Sequence, residues 1–371
     1  MIYLDHAATT PVGTAVLEAM LPYFTSCYAN ASSGYASARQ ARAALDGARG
    51  EVAAAIGAGR QEVFFTSGGS ESDNWAIFGL ASAHPEKKHI ITSKIEHHAV
   101  LHSCQALEKR GYDVTYLDVD CFGRVLPEVL ERAIRQDTLM ASVMLANNEV
   151  GTIEPVALLS QIAHAGGTLF HTDAVQAVGH IPVSVSDLGV DLLSMSAHKF
   201  GGPKGIGALY VRSGVRIDNL IYGGAQERGM RAGTENTPAA AGMGKALSLA
   251  VQKMDHVCTH VRTLRDTLER ELLALGGICV NGDRQNRLPG HLHVSIDGAN
   301  TSMILMQMDM AGISVSAGSA CTSGAAEQSH VLQAMGRSAQ KQADIRFSLG
   351  EENTIEEIAA VIQEMRRILK R

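Results

Sequence analysis

A chain of 371 residues, 46% hydrophobic and 19% charged, is long enough to bury one large core and a smaller second one. Its net charge of −6 supplies no basic surface for nucleic acid, and no apolar run approaches the roughly 18 residues of a membrane span. The six cysteines (Cys27, Cys104, Cys121, Cys258, Cys279 and Cys321) form no CxxC pair, which argues for reduced thiols rather than a disulfide framework or a zinc cluster. No signal peptide precedes Met1-Ile2-Tyr3, so the expectation is a soluble cytoplasmic protein.

Residues 1–11 read as a short strand and a turn. The alanine-rich stretch 35–56 is helical in pattern and stops at Gly57. Residues 62–66 form an apolar strand that runs directly into Ser67-Gly68-Gly69-Ser70, and the pattern turns helical from 71 to 80. A strand, a glycine–serine turn and a helix start bring backbone N–H groups, hydroxyls and the positive helix end together, as a phosphate cradle requires. The same turn also serves as an ordinary helix cap, and the stretch alone leaves both readings open.

From residue 88 onward, strands alternate with helical stretches: 88–93, 113–117, 139–146, 168–172 and 189–197, with helices at 99–110, 126–135 and 156–165. This order predicts a mainly parallel sheet covered on both faces, with ligands bound beyond the carboxyl ends of the strands. The polar residues gather there. His97 and His98 follow one strand; Asn147, Asn148 and Glu149 follow another; His171, Asp173 and Gln176 sit at a third; Ser196, His198 and Lys199 end the last.

An ammonium at the end of a buried strand is expensive to desolvate, and one use for it is as an amine that forms a Schiff base with an aldehyde cofactor. The competing reading is a solvated lysine on a surface loop. A carboxylate such as Asp173, at the end of a buried strand, can keep a pyridine nitrogen protonated so that the ring accepts electrons. It can equally cap a helix starting at Ala174. Cradle, carboxylate and lysine together read as a site for pyridoxal 5′-phosphate.

Other features read as structural. His98 and His102 have the spacing of a metal pair, but no third ligand is apparent, so a solvated helix face is expected. Met303, Met306, Met308 and Met310 fall in one helix and read as core filling. The sequence around Lys199 does not spell a Walker loop.

The stretches YLDHAATTP (3–11), FTSGGSESDN (65–74), EHHAV (96–100), NNEVGTIEP (147–155), HTDAVQAVGH (171–180), SMSAHKFGGPKGIG (194–207), RAGTENT (231–237), GSACTSG (318–324) and IRFSLG (345–350) occur in order along the chain. Together they resemble the pyridoxal-phosphate-dependent cysteine desulfurases of the NifS/IscS type, within the class-V aminotransferases. The resemblance implies an α/β fold of the type I aminotransferase kind, with a mainly parallel seven-stranded sheet in a large cofactor domain (12–253). A smaller α+β domain (1–11 with 254–371) would carry the catalytic cysteine loop. It further implies that Lys199 carries the cofactor as a Schiff base, Asp173 pairs with the pyridine nitrogen, Gln176 bonds the ring hydroxyl and His97 stacks on the ring. Gly69, Ser70, Ser196 and His198 would cradle the phosphate, joined by Thr234 from the partner of a homodimer. Asn148 and Arg346 would orient the carboxylate of L-cysteine, and Cys321 would take its sulfur as a persulfide, with His97 relaying the proton.

Sulfur would then pass to an acceptor protein, an iron–sulfur scaffold or a tRNA-thiolation enzyme, with no direct contact to nucleic acid or membrane. The chain ends at Arg371, soon after its last helix, where IscS-type members carry a scaffold-docking extension, which leaves room for the tRNA-thiolation partner. A lyase acting on selenocysteine or cystine, for which Cys321 would be dispensable, and a non-catalytic adaptor are the alternatives.

Overall fold

The computed structural model describes residues 1–318, 329–337 and 342–370; Cys321 lies outside the described residues. Seven strands form the central sheet, in the order Val63–Thr66, Gly207–Val211, Leu192–Ser196, Leu169–Asp173, Thr138–Ser142, His89–Ser93 and Asp113–Leu117. Gly207–Val211 runs antiparallel to both its neighbours and the rest are parallel. The period-two alternation of side chains divides the apolar residues between the two faces. Phe65, Ile91, Ala141 and Leu193 enter the core on one face, whereas Phe64, Ile90, Met140 and Leu192 enter the core on the other. Helices cover both faces, which is why these strands read as continuous apolar runs.

A second core forms around a three-stranded antiparallel sheet, Gln342–Ser348, His291–Asp297 and Ile278–Asn281. Leu4, Leu264, Leu268, Val294, Phe347, Ile358 and Met365 fill it. The start of the chain joins this lobe through parallel pairing of Ile2–Tyr3 with Ile313–Ser314. The helix Thr237–Leu273, 37 residues long, serves both cores: Ala239, Met243 and Leu247 pack in the first, and Val261, Leu264 and Leu272 in the second.

Three readings of the sequence are corrected. Residues 174–180 form hydrogen-bonded turns, Ala177 and Val178 both donating to Ala174 O, rather than a helix. The strand read as 139–146 is regular over Thr138–Ser142, beyond which Val143 and Leu145 still donate to His171 O and Asp173 O. The helix Thr301–Met310 buries Met308 and Ile304, but Met303, Met306 and Met310 are 56%, 57% and 80% exposed, so they do not fill the core. The unbranched Met side chain gives no periodic signal to tell a buried face from an exposed one when both carry it.

One buried ion pair fixes the loop that leads to Thr234. Glu227 and Arg228 hold positive φ angles of 45° and 60°, a conformation unfavourable for residues with a Cβ. The Glu227 carboxylate accepts from both terminal nitrogens of Arg49, at 2.6 and 2.8 Å, and from Phe65 N at 3.0 Å. Removing one partner leaves a buried charge uncompensated. Glu227→Ala is therefore expected to lower the unfolding free energy by about 3 kcal/mol or more. The paired replacement Arg49→Met with Glu227→Leu should lower it less, as read from urea denaturation midpoints.

Candidate active site

A cavity of about 450 Å³ opens at the carboxyl ends of the central strands. Its first wall is the turn after Val63–Thr66. The helix Gly69–Ala83 starts there, and Thr66 Oγ1 meets Ser72 Oγ at 2.8 Å to close the turn. Close backbone approach demands glycine across the sheet. A Cβ on Gly207 would stand 2.4 Å from Met195 O and 2.7 Å from Gly68 Cα, and one on Gly69 would stand 2.7 Å from Val175 Cγ2. Gly69, Ser70, Ser196 and His198 all line this end of the cavity. His198 Nδ1 sits 3.2 Å from Thr9 Oγ1, and burial with the nearby Lys199 charge pushes its pKa down to about 4.

The floor carries Lys199, Asp173 and Gln176. Lys199 follows the Leu192–Ser196 strand on a single helical turn, and its Nζ donates to Ala7 O at 2.5 Å and Ala8 O at 2.9 Å. Gln176 Nε2 likewise donates to Ala7 O, at 3.0 Å. Asp173 Oδ1 accepts Val175 N–H at 2.9 Å, so this carboxylate shapes the turn as well as facing the cavity. Burial raises the Asp173 carboxyl to about 6, against the lowering effect of the Val175 N–H and the Lys199 charge. Asp73 lies beside it, 1% exposed, with its Oδ1 lacking any hydrogen-bond partner. Burial and then the Asp173 charge hold the Asp73 carboxyl well above the carboxylate range.

His97 caps the helix His98–Glu108: its Nδ1 accepts Ala99 N–H at 3.1 Å. In the neutral ring the proton therefore sits on Nε2. Burial first, and the Lys199 charge second, push this imidazole down to about 4. His98 and His330 also line the cavity, and the His98 ring lies 4.9 Å from that of His102 and 4.8 Å from that of His330. Thus the residue pair read as a solvated helix face has a third imidazole beside it, although among the described residues no three groups are arranged to hold a metal ion.

Opposite, Arg346 is 2% exposed and reaches the cavity from the smaller sheet. Its guanidinium donates to Asn148 O at 2.7 Å, Gly318 O at 3.2 Å and Asp5 Oδ1 at 2.8 Å, and its Nε has no partner. Asn148 and Gly318 line the same cavity.

Lys199, His97, Gly69, Ser70, Asn148, Asp173, Gln176, Ser196, His198 and Arg346 are thus brought together. Thr234 is exposed and outside the cavity lining. The cap of the long helix is Asn236, whose Oδ1 accepts Ala239 N–H, not Thr234. His171 and Asn147 are not cavity residues. His171 is buried between Ser142 Oγ and Ser194 Oγ at 2.8 and 3.0 Å, its pKa pushed down to about 3 by burial, and Asn147 Oδ1 accepts the N–H groups of Glu149 and Val150. Reading strand ends missed Asp5, Asp73 and His330. Asp73 was the most accessible of these, as a carboxylate one turn into a helix whose other face is apolar.

The aminotransferase class-V family profile matches residues 2–361. Cysteine desulfurase IscS of Dictyoglomus turgidum is 49% identical over 373 residues, covering 100% of this chain and 95% of that protein. Cysteine desulfurase IscS of Methanosarcina thermophila is 48% identical, over 100% of this chain and 92% of that protein. Among solved structures, a NifS-like protein superposes with a TM-score of 0.94 at 39% identity, covering 100% of this chain and 99% of that one. SspA in complex with cysteine superposes with a TM-score of 0.83 at 36% identity, over 95% and 100%.

The electrostatics of His97 give a direct expectation. In protein labelled with ¹⁵N-histidine, the His97 ring should carry its proton on Nε2 and remain neutral from pH 8 down to about 5, titrating near 4. Long-range ¹H–¹⁵N spectra, assigned with His97→Gln, read this directly. A titration midpoint at the ordinary imidazole value of about 6.5 would contradict it.

Proposed function

This chain belongs to the class-V aminotransferase family, and we propose on that premise that it is a pyridoxal-phosphate-dependent cysteine desulfurase. The observation that carries the proposal is one cavity lined by an amine, a buried carboxylate, a neutral imidazole and a buried guanidinium, each from a different element.

The residues present fit the cofactor. Asp173 and Asp73 are buried carboxyls raised by desolvation, an arrangement that a cationic ring nitrogen would relieve. At the other end Gly69 and Ser70 open a 15-residue helix beside Ser196 and His198, which suits a phosphate. Lys199 would hold the cofactor, Gln176 its ring hydroxyl and His97 its ring face. When bound, the cofactor supplies an electron sink that acidifies the substrate Cα–H.

The chain's own residues would do the rest. Arg346 would take the L-cysteine carboxylate in a two-pronged contact, with Asn148 beside it. The Lys199 amine would accept the Cα proton. The neutral His97, with its proton on Nε2, would pass a proton at the reacting face. Cys321 as thiolate would attack the substrate sulfur: an S–S bond forms, the Cβ–S bond breaks with its electron pair going to carbon, and protonation gives L-alanine. Substrate and thiol together balance product and persulfide, so no further oxidant is needed. Gly318, just ahead of Cys321, lines the cavity, which supports this role. Transfer of the persulfide to an iron–sulfur scaffold or tRNA-thiolation enzyme, in the cytoplasm, completes the proposed role. Among the described residues no helix is long and apolar enough to cross a membrane. The division into domains 12–253 and 1–11 with 254–371 is supported by the two separate cores that share the helix Thr237–Leu273.

Two substitutions test the chemistry. Lys199→Ala should lose alanine formation by about a thousandfold or more. Cys321→Ser should keep the spectral response to added cysteine yet form no protein persulfide; unchanged sulfide release in Cys321→Ser would favour the lyase.

The proposed homodimer places Thr234 of one subunit at the other's phosphate. Its exposure and its distance from the capping role leave it open for that contact. Mixed Lys199→Ala and Thr234→Val subunits should regain activity, up to about a quarter of parental sites at random exchange, because one site per hybrid keeps both groups. No recovery despite proven exchange would sink the shared site.

A further inference from the structure

Val63–Thr66 is the outermost strand of the central sheet, paired on one side only, with Gly207–Val211. A bare strand edge leaves its N–H groups without a ladder partner. Two carboxylates take the outward N–H groups here. Glu227 Oε2 accepts from Phe65 at 3.0 Å, and Glu71 Oε2 accepts from Ser67, on the same edge, at 2.8 Å. Each carboxylate also holds an arginine fork. Arg49 grips Glu227, and Arg231 grips Glu71, Nε donating to Oε1 at 2.9 Å and Nη2 to Oε2 at 3.0 Å.

The two pairs run in opposite senses. Glu227 belongs to the loop leading to Thr234, and Arg49 to the helix Ala36–Ala55; Glu71 belongs to the helix Gly69–Ala83, and Arg231 to the loop. The loop is therefore fastened to the strand and its turn at both 227 and 231. The second point bears on the cavity. Gly69 and Ser70, which line it, immediately precede Glu71, whereas Glu71 itself lies outside the lining. The Glu71 side chain is 11% exposed and that of Arg231 23%. Burial acts to raise the Glu71 pKa, but the hydrogen bonds from Arg231 and Ser67 outweigh it and hold the carboxyl below its ordinary value. Glu71 is thus a charged group in the first turn of the helix, where it competes with a phosphate for the same positive helix end. Charge does not explain a carboxylate there; its bonds to the turn and the loop do.

We propose that Glu71 is a positioning residue: it fastens the turn carrying Gly69 and Ser70 to the loop at Arg231, and so fixes the phosphate end of the cavity. This rests on the cofactor reading above. A cradle held in place before the ligand arrives loses less entropy on binding, so the tie favours the phosphate without touching it. Thr234 follows Arg231 on the same loop, which makes one ion pair the reference point for both sets of phosphate donors.

The experiment strips cofactor from the full-length protein and from its Glu71→Ala, Glu71→Gln, Arg231→Ala and double-alanine variants. Each is then titrated by absorbance with pyridoxal 5′-phosphate and, in parallel, with pyridoxal, which lacks the phosphate. Both single alanine variants should bind pyridoxal 5′-phosphate about tenfold or more weakly, yet bind pyridoxal within about twofold of the parent. Pyridoxal binding also reports that a variant is folded. Glu71→Gln keeps the shape and one acceptor for Ser67 N–H but not the charge that holds Arg231, so its loss should fall between parent and Glu71→Ala. The double variant should lose no more than about twofold beyond the worse single, because the two groups form one contact. Charge alone predicts the opposite sign: removing a carboxylate beside an anion site and freeing an arginine would tighten phosphate binding. Unchanged or tighter binding of pyridoxal 5′-phosphate by Glu71→Ala and Glu71→Gln, equal weakening of both ligands, or additive losses would each overturn the tie. A parent that binds pyridoxal 5′-phosphate no better than pyridoxal would instead overturn the cofactor reading, and the positioning role with it.

Discussion

The cleft depends on keeping the Arg346 guanidinium buried with both of its terminal nitrogens bonded. A cation withdrawn from water is strongly unfavourable unless charge and hydrogen bonds are supplied in place. They come from three distant parts of the chain: Asp5 near the start, Asn148 O after a central strand, and Gly318 O ahead of the Cys321 segment. Arg346 itself lies on the smaller sheet, in register with His293. The same side chain thus holds the chain start, the smaller sheet and the larger one in a single arrangement. A ligand carboxylate entering the cavity would compete for a donor set already positioned, so the orienting entropy is spent in folding rather than in binding.

The remaining electrostatics follow from desolvation. Asp173, Asp73 and Glu96 are buried carboxyls whose pKa values are all raised, Glu96 to about 8. The imidazoles around them move the other way, His171 to about 3 and His97 and His198 to about 4. Both directions favour uncharged forms, as low dielectric requires. His171 Nε2 stands 3.7 Å from Asp73 Oδ1, but it is engaged by Ser194 Oγ and stays neutral, so this contact is not an ion pair. Two buried carboxyls, Asp173 and Asp73, therefore lie together where the proposed cofactor would bring a cationic nitrogen.

Sequence disclosed the sheet because its strands, apart from the partly exposed edge strand Asp113–Leu117, are buried on both faces and read as short, mainly apolar runs between breakers. It disclosed most of the site because those strands end in polar residues, and ends of parallel strands share one edge. It failed where position depends on contacts distant in the chain. His330 joins His98 only through tertiary packing, and Asp5 meets Arg346 across nearly the whole sequence. His171 has the same strand-end signature as Asp173 and faces the same side of the sheet, but it lies two residues earlier in the strand, between serines rather than in the cavity. The methionines of Thr301–Met310 mislead for a different reason: residue type alone does not say which side of a short helix meets the core.

Covalent connection sets how the two lobes meet. The helix Thr237–Leu273 runs roughly 55 Å at 1.5 Å per residue and contributes to both cores, so it acts as a rigid spine between them. The chain start crosses back over the same boundary: Leu4 packs in the smaller core, Asp5 pairs with Arg346, and the carbonyls of Ala7 and Ala8 accept from Lys199. Lys199, just after a strand of the larger sheet, and Arg346, on the smaller sheet, are therefore bound to carbonyl and carboxylate groups of a single short segment. Any shift of one lobe against the other would have to break bonds to residues 5–8 on one side or the other. That is the physical reason a site assembled from both lobes keeps a fixed geometry.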